Sequence, residues 1–132
     1  MENKNIQTAF DAVKNLDLSG KVFLVTGGYS GLGAASVEAL LKAKGQVIIV
    51  GRNKSLQEKF VQKLLTNKSL GISSDQIDAE HTMDLGDLGS VSKFAKYIDG
   101  KYEQIDVLLN NAGVMRTPPG KTKDGFEIQM GT

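Results

Sequence analysis

Apolar and polar positions along this chain fall into alternating blocks. KVFLVT (21–26) is a short β-branched apolar run that ends in glycines. SGLGAASVEALLKAKG (30–45) then shows helical periodicity, with Leu32, Val37, Leu40 and Leu41 on one face. Its stop is Gly45, after Lys42 and Lys44 in the last turn. QVIIVG (46–51) predicts a second buried strand, and SLQEKFVQKLLTN (55–67) a second helix with Phe60, Val61, Leu64 and Leu65 as its apolar side. QIDAEHTM (76–83) predicts a third, weaker strand. SVSKFAKYI (90–98) predicts a third amphipathic helix, stopped by Gly100. IDVLLNNAG (105–113) predicts a fourth strand that ends in a turn. Ahead of all these, residues 6–16 predict one short helix leading through LSGK into the first strand. Strands alternating with helices in this way argue for parallel βαβ units and an open α/β sheet.

Length and composition narrow the picture. At 132 residues the chain is one domain, 1–132, with 1–19 as a helix and lead-in. A formal charge of +1 gives no electrostatic case for nucleic acid or an anionic membrane. The absence of cysteine excludes disulfides and thiolate ligands and suits a reducing, cytoplasmic setting. No apolar run approaches the roughly 18 residues of a membrane span, and MENKNIQTAF has no apolar core of a secretory signal.

The clearest chemistry lies in TGGYSGLG (26–33), between the first strand and the first helix. Unpaired N–H groups at a helix start carry the positive end of the helix dipole, so an anion docks there. Glycines allow a sharp turn and let a pyrophosphate approach the backbone. Gly27 is expected to make the turn, Gly31 to sit under the phosphates, and Gly33 to let the helix pack close to the strand. The alternative is a plain strand-to-helix turn. At the end of the second strand, a dinucleotide fold places the adenosine ribose. An acidic residue there would accept from the 2′-hydroxyl and repel a 2′-phosphate. This chain has Gly51 and Arg52 instead, and the guanidinium fork suits a phosphate. The expected preference is therefore NADP, with NAD second. The alternative is a solvated arginine at a strand end.

With these motifs in place, the chain resembles the N-terminal, cofactor-binding half of a short-chain dehydrogenase/reductase, with a texture similar to the retinol dehydrogenase and WW-domain oxidoreductase branch. TGGYSGLG matches that family's Thr-Gly-x-x-x-Gly-x-Gly loop, and NNAG (110–113) its Asn-Asn-Ala-Gly motif. Asp84–Leu85 matches the adenine contact, and DGFEIQMGT (124–132) resembles the start of a long helix. The resemblance implies a Rossmann-type, three-layer sheet with the covered strands in order 3-2-1-4. It implies that Gly27, Tyr29, Ser30, Gly31, Leu32 and Gly33 line the pyrophosphate. Arg52, helped by Asn53, would take the 2′-phosphate, Asp84 and Leu85 would flank the adenine, and Asn111, Ala112 and Gly113 would pass behind the ribose. NADP-preferring members often carry a basic residue just before the second key glycine. Ser30 stands there, so the NADP expectation rests on Arg52 alone. Simpler readings stay open: Asp84 as the cap of the next helix, and Asn110 and Asn111 as turn formers. His81 has no cysteine or histidine partner and reads as an ordinary strand residue.

Tyr97 and Lys101, in YIDGK, share the spacing of the family's catalytic pair. That pair opens a helix after the fifth strand, whereas YIDGK closes the helix before the fourth. Ligands of open α/β sheets bind outside the carboxyl ends of strands. Tyr97 is therefore expected away from the cofactor, with its hydroxyl at the rim, and Lys101 is expected to be solvated. No catalytic or metal-binding residue is assigned. The chain stops inside the expected last helix, which predicts an incomplete domain with an open fourth-strand edge prone to self-association. Two functions remain. One is the cofactor-binding half of an NADP-dependent oxidoreductase acting on a small alcohol or carbonyl. The other is a non-catalytic nucleotide-binding or regulatory module.

Overall fold

The computed structural model describes residues 8–132, so the start of the expected 6–16 helix lies outside the described residues. Thr8 caps the short helix α1 (Ala9–Val13) through a reciprocal box. Its hydroxyl accepts from the Asp11 N–H at 3.1 Å, and the Asp11 carboxylate accepts from the Thr8 N–H at 3.0 Å. Four strands follow: β1 (Val22–Thr26), β2 (Gln46–Val50), β3 (Ile77–Asp78) and β4 (Val107–Leu109). Three longer helices alternate with them: α2 (Gly31–Lys42), α3 (Lys54–Thr66) and α4 (Leu88–Lys101). The sheet is parallel, in the order β3-β2-β1-β4, as the sequence predicts.

Side-chain alternation along β1 and β2 sends neighbouring residues to opposite faces. Phe23, Val25, Val47 and Ile49 face α2 and α3, where Val37, Leu41 and Leu64 complete one core. Leu24, Ile48 and Val50 face α4, where Phe94 and Met83 complete the other. The result is three layers, and both faces of the central strands need apolar residues. Burying each large aliphatic side chain contributes about 1.5–3 kcal/mol.

Several expectations need correction. Leu32 is 84% exposed and belongs to no core. The buried stripe of α2 runs through Gly33, Val37 and Leu41, and a one-residue offset rotates Leu32 about 100° away from it. The residue with positive φ at the end of α2 is Lys44 (72°). Gly45 is glycine because a Cβ there would lie 3.0 Å from the Phe23 ring. α4 starts at Asp87, whose carboxylate accepts from the Gly89 and Ser90 N–H groups, so Asp84 is not its cap. It also runs through Gly100, which does not stop it.

Strand β3 is two residues long where eight were expected, because the carbonyls beyond Asp78 bond to side chains of α3 rather than to β2. Residues 124–132 form no helix. Gly125 turns at φ 89°, Lys121 bridges Glu127 antiparallel, and the Glu127 carboxylate accepts from the Gln129 and Met130 N–H groups. β4 is shorter than expected, and Val107, Leu108 and Leu109 are 45%, 56% and 37% exposed.

Lys101 is not a free, solvated lysine. Asp78, 5% exposed, gathers three donors on one carboxylate oxygen: Tyr102 Oη at 2.6 Å, Tyr97 Oη at 2.8 Å and Lys101 Nζ at 2.9 Å. Lys101 also donates to Tyr97 Oη at 2.8 Å, and the exposed His81 ring lies against Tyr97 at 3.9 Å. Burial pushes the Asp78 carboxyl up, but the hydrogen bonds from Tyr102, Lys101 and Tyr97 outweigh it and hold the carboxyl below its usual range. The cluster ties the end of α4 to the edge strand.

Asp78→Ala should therefore cost about 3 kcal/mol in urea unfolding at neutral pH, the scale for removing one partner of a buried charged cluster. A depressed carboxylate contributes stability above its unfolded value, 3.8, and loses it as the pH falls through the folded value. The gap between wild type and Asp78→Ala should narrow below about pH 4. A gap that is under ~0.5 kcal/mol at neutral pH, or that widens in acid, would contradict this assignment.

Candidate functional site

The carboxyl ends of β1, β2 and β4 converge on a cleft of about 450 Å³. That size and position fit a small-molecule site at the switch point of an open α/β sheet. The floor is a latch between β1 and the chain after β4. Thr26, 4% exposed, accepts at Oγ1 from the Asn111 N–H (3.1 Å) and the Ala112 N–H (3.0 Å), and donates to the Leu109 carbonyl (3.5 Å). Asn111 Nδ2 returns to the Thr26 and Gly27 carbonyls at 3.1 and 3.3 Å. Residues 85 positions apart in sequence are thereby fixed side by side.

The glycines of the turn differ in purpose. Gly27 takes φ 64°, which opens the turn as expected. A Cβ on Gly33 would lie 2.4 Å from Asn111 Nδ2 and 2.6 Å from the Gly27 carbonyl oxygen, so Gly33 makes room for the latch. Gly33 thereby also keeps α2 close to the end of β1, as expected, and Gly28, whose Cβ would stand 2.9 Å from Val37, makes a second close approach. Gly31 takes φ 52° with nothing within 4 Å of a Cβ position, so its backbone is open. Ser30 precedes α2 but its side chain makes no capping hydrogen bond. The first turn bond is Ala34 N–H to the Ser30 carbonyl at 3.1 Å. The start of α2 is thus a backbone donor set with no side-chain acceptor from its own cap.

The opposite wall comes from the ends of β2 and β3. Arg52 is exposed in the cleft beside Gly51. Gly51 is glycine because Tyr29 lies on it: a Cβ would meet the Tyr29 ring at 2.3 Å. Asn53 caps α3 by accepting from the Leu56 N–H at 3.0 Å, and its own N–H donates to Tyr29 Oη at 3.3 Å. Asp84 accepts from the Gly86 N–H at 2.8 Å.

Ten of the thirteen residues expected from sequence line the cleft: Gly27, Tyr29, Ser30, Leu32, Arg52, Asp84, Leu85, Asn111, Ala112 and Gly113. Gly31, Gly33 and Asn53 do not, although Gly33 and Asn53 bear directly on residues that do. Sequence reasoning assigned no site role to Thr26, Val50, Met83, Val114 and Thr132, which also line it. Thr26 had a signal, as the first letter of the glycine motif. The others had none. Thr132 Oγ1 is buried in the cleft wall with no hydrogen-bond partner among the described residues. Tyr97 and Lys101 do not line the cleft. An uncapped helix start, an exposed arginine and an orphaned hydroxyl around one cleft fit a phosphate-bearing ligand with polar edges.

The fold and this glycine-rich cleft define a short-chain oxidoreductase scaffold. The family model described as short chain dehydrogenase matches residues 21–129, and the chain belongs to that family. It is 36% identical over 114 residues to human retinol dehydrogenase 13, covering 86% of this chain and 33% of that protein. A crystal structure of an uncharacterized protein from Mycobacterium Paratuberculosis superposes with a TM-score of 0.72 at 32% identity, over 89% of this chain and 38% of the other. The Pseudomonas aeruginosa RhlG/NADP active-site complex gives 0.63 at 27% identity, over 75% and 37%. The chain spans about a third of the length of the curated relatives it matches. Among the described residues, no helix is long and apolar enough to cross a membrane.

Thr26→Val keeps the shape of the latch but leaves the Ala112 N–H without its acceptor and the Asn111 N–H with the Leu109 carbonyl alone (3.0 Å). It should destabilise the protein by about 1–2 kcal/mol, the cost of one unpaired, partly buried donor, and Thr26→Ser should restore most of the loss. Equal stability of all three proteins in chemical denaturation would show that the latch is not a determinant of the fold.

Proposed function

We propose that the cleft holds a dinucleotide, NADP in preference to NAD. In this reading the chain is the cofactor-binding half of an oxidoreductase acting on a small alcohol or carbonyl. NADP(H) would supply or accept the hydride. The observation that carries the reading is the uncapped start of α2 opening onto a cleft whose far wall bears Arg52. The pyrophosphate would take the backbone donors from Gly31 to Gly33, beside Gly27, Tyr29, Ser30 and Leu32. The 2′-phosphate would take the Arg52 guanidinium. Asn53 has its side-chain oxygen in the α3 cap, which leaves Arg52 as the selector. Asp84 and Leu85 would border the adenine, and Asn111, Ala112 and Gly113 would back the ribose. The NADP bound by the Pseudomonas aeruginosa relative favours the same cofactor here.

Tyr97 and Lys101 have no part in this chemistry. A catalytic tyrosine needs a lowered pKa to exchange its proton. Tyr97 is pushed the other way: burial raises it more than the Lys101 hydrogen bond lowers it, and Asp78 adds to the rise. That observation speaks against Tyr97 as the acid, and the second reading is a non-catalytic nucleotide-binding or regulatory module. A cytoplasmic setting goes with both readings. β4 is an edge strand with half-exposed apolar side chains, and such an edge adds self-association, because it can pair with another strand.

Two outcomes are expected. Arg52→Asp should reverse the cofactor preference, with NADP affinity falling roughly ten- to hundredfold for the loss of a charge-assisted bond of about 1.5–3 kcal/mol. Calorimetric titration of both nucleotides measures it, and an unchanged NADP-to-NAD ratio would rule Arg52 out as selector. The 132-residue chain should also give no turnover with panels of alcohols and carbonyls in the presence of NADP(H). Steady turnover above a no-enzyme control would bring Tyr97 and Lys101 back as candidates.

A further inference from the structure

Gln57 sits in the first turn of α3, 0% exposed, and every polar atom of its side chain is bonded. Oε1 accepts from the Gly51 N–H at 3.1 Å. Nε2 donates to the Ala79 carbonyl at 2.9 Å and to the His81 carbonyl at 2.8 Å. The Gly51 carbonyl in turn accepts from the Met83 N–H at 2.9 Å. One side chain therefore spans two segments that leave the sheet separately: the turn after β2 and the stretch after β3. The first carries Arg52 and the second leads to Asp84 and Leu85, and all three line the cleft.

The residue type matters. A leucine at this position would fill the core, as Leu64 does elsewhere on α3. A primary amide offers an acceptor and two donors in one plane, which is the set that one N–H and two carbonyls require. Buried polar groups are kept where they are fully bonded, because a single unpaired one is costly.

We infer that Gln57 is a positioning residue for the adenosine end of the cleft. It sets the distance between the Arg52 turn and the segment leading to Asp84 and Leu85, and through that distance the selectivity for a 2′-phosphate. The inference rests on the reading of the cleft as an NADP site.

The test uses the 132-residue chain and Gln57→Met, which keeps the length of the side chain and removes its hydrogen bonds. In nucleotide-free protein, the Gly51 amide proton should move upfield in the NMR spectrum and exchange faster with solvent. In titrations, the ratio of the NAD to the NADP dissociation constant should shrink about three- to tenfold, the effect of one hydrogen bond lost or misplaced. A merely structural glutamine would lower the melting temperature and move the Gly51 signal but leave the ratio unchanged, and that result, like an unmoved Gly51 signal, overturns the inference. Should Gln57→Met fail to fold, wild type decides: slow exchange of the Gln57 side-chain amide protons, against fast exchange at the exposed Gln62 and Gln129, supports the strut, and equally fast exchange overturns it. Wild type that binds neither nucleotide would overturn the cofactor reading instead, while the Gly51 signal would still judge the strut on its own.

Discussion

Thr26 carries the junction from which the rest of the site is built. Its hydroxyl is the acceptor for two N–H groups just beyond β4, and its carbonyl takes the Asn111 amide. A parallel pair has no tight hairpin to set its register, so the chain must be held at both ends by contacts remote in sequence. At the opposite end, Asp106 does the corresponding work. Its carboxylate accepts from the Val22 N–H at 2.8 Å and from Lys21 Nζ at 3.3 Å, and the Val22 N–H holds its pKa below the ordinary range. Between these two anchors β4 lies flat on β1 even though its own side chains are half exposed.

The site follows from that junction. Asn111 can reach the Thr26 and Gly27 carbonyls only because Gly33 has no side chain. With Gly33 against the turn, α2 begins at the carboxyl end of β1 and presents its unpaired donors over the cleft. The far wall is fixed in the same manner by close approach and side-chain bonding: Tyr29 on Gly51, and Asn53 on Tyr29. Both walls are thus tied to the sheet by contacts within the chain itself.

Much of this was legible in the sequence because it follows from periodicity and glycine chemistry. Runs such as VFLV and VIIV announce strands buried on both faces, and the sheet order came from the family resemblance that the glycine loop and NNAG supported. The failures also have physical causes. Leu32 looked like a core residue because helical periodicity counts apolar letters and not the phase set by Gly33, Val37 and Leu41. β3 was read too long because no pattern in QIDAEHTM reveals that Gln57 and Lys54 take its carbonyls from across the sheet edge. Lys101 was read as solvated because Asp78, its partner, is 23 residues away. Residues 124–132 were read as a helix from family likeness, while the local chemistry of Gly125 and Glu127 favours a turn.

The proposed dinucleotide crosses the start of α2 with its phosphorylated ribose at Arg52. Amide shift mapping during an NADP titration tests that placement. Saturable shifts should concentrate at Gly31, Leu32, Gly33, Arg52 and Leu85, and the amides of Tyr97, Lys101 and Tyr102 should stay in place. Shifts centred on the Asp78–Tyr97–Lys101 cluster, or no saturable shift at the start of α2, would contradict it.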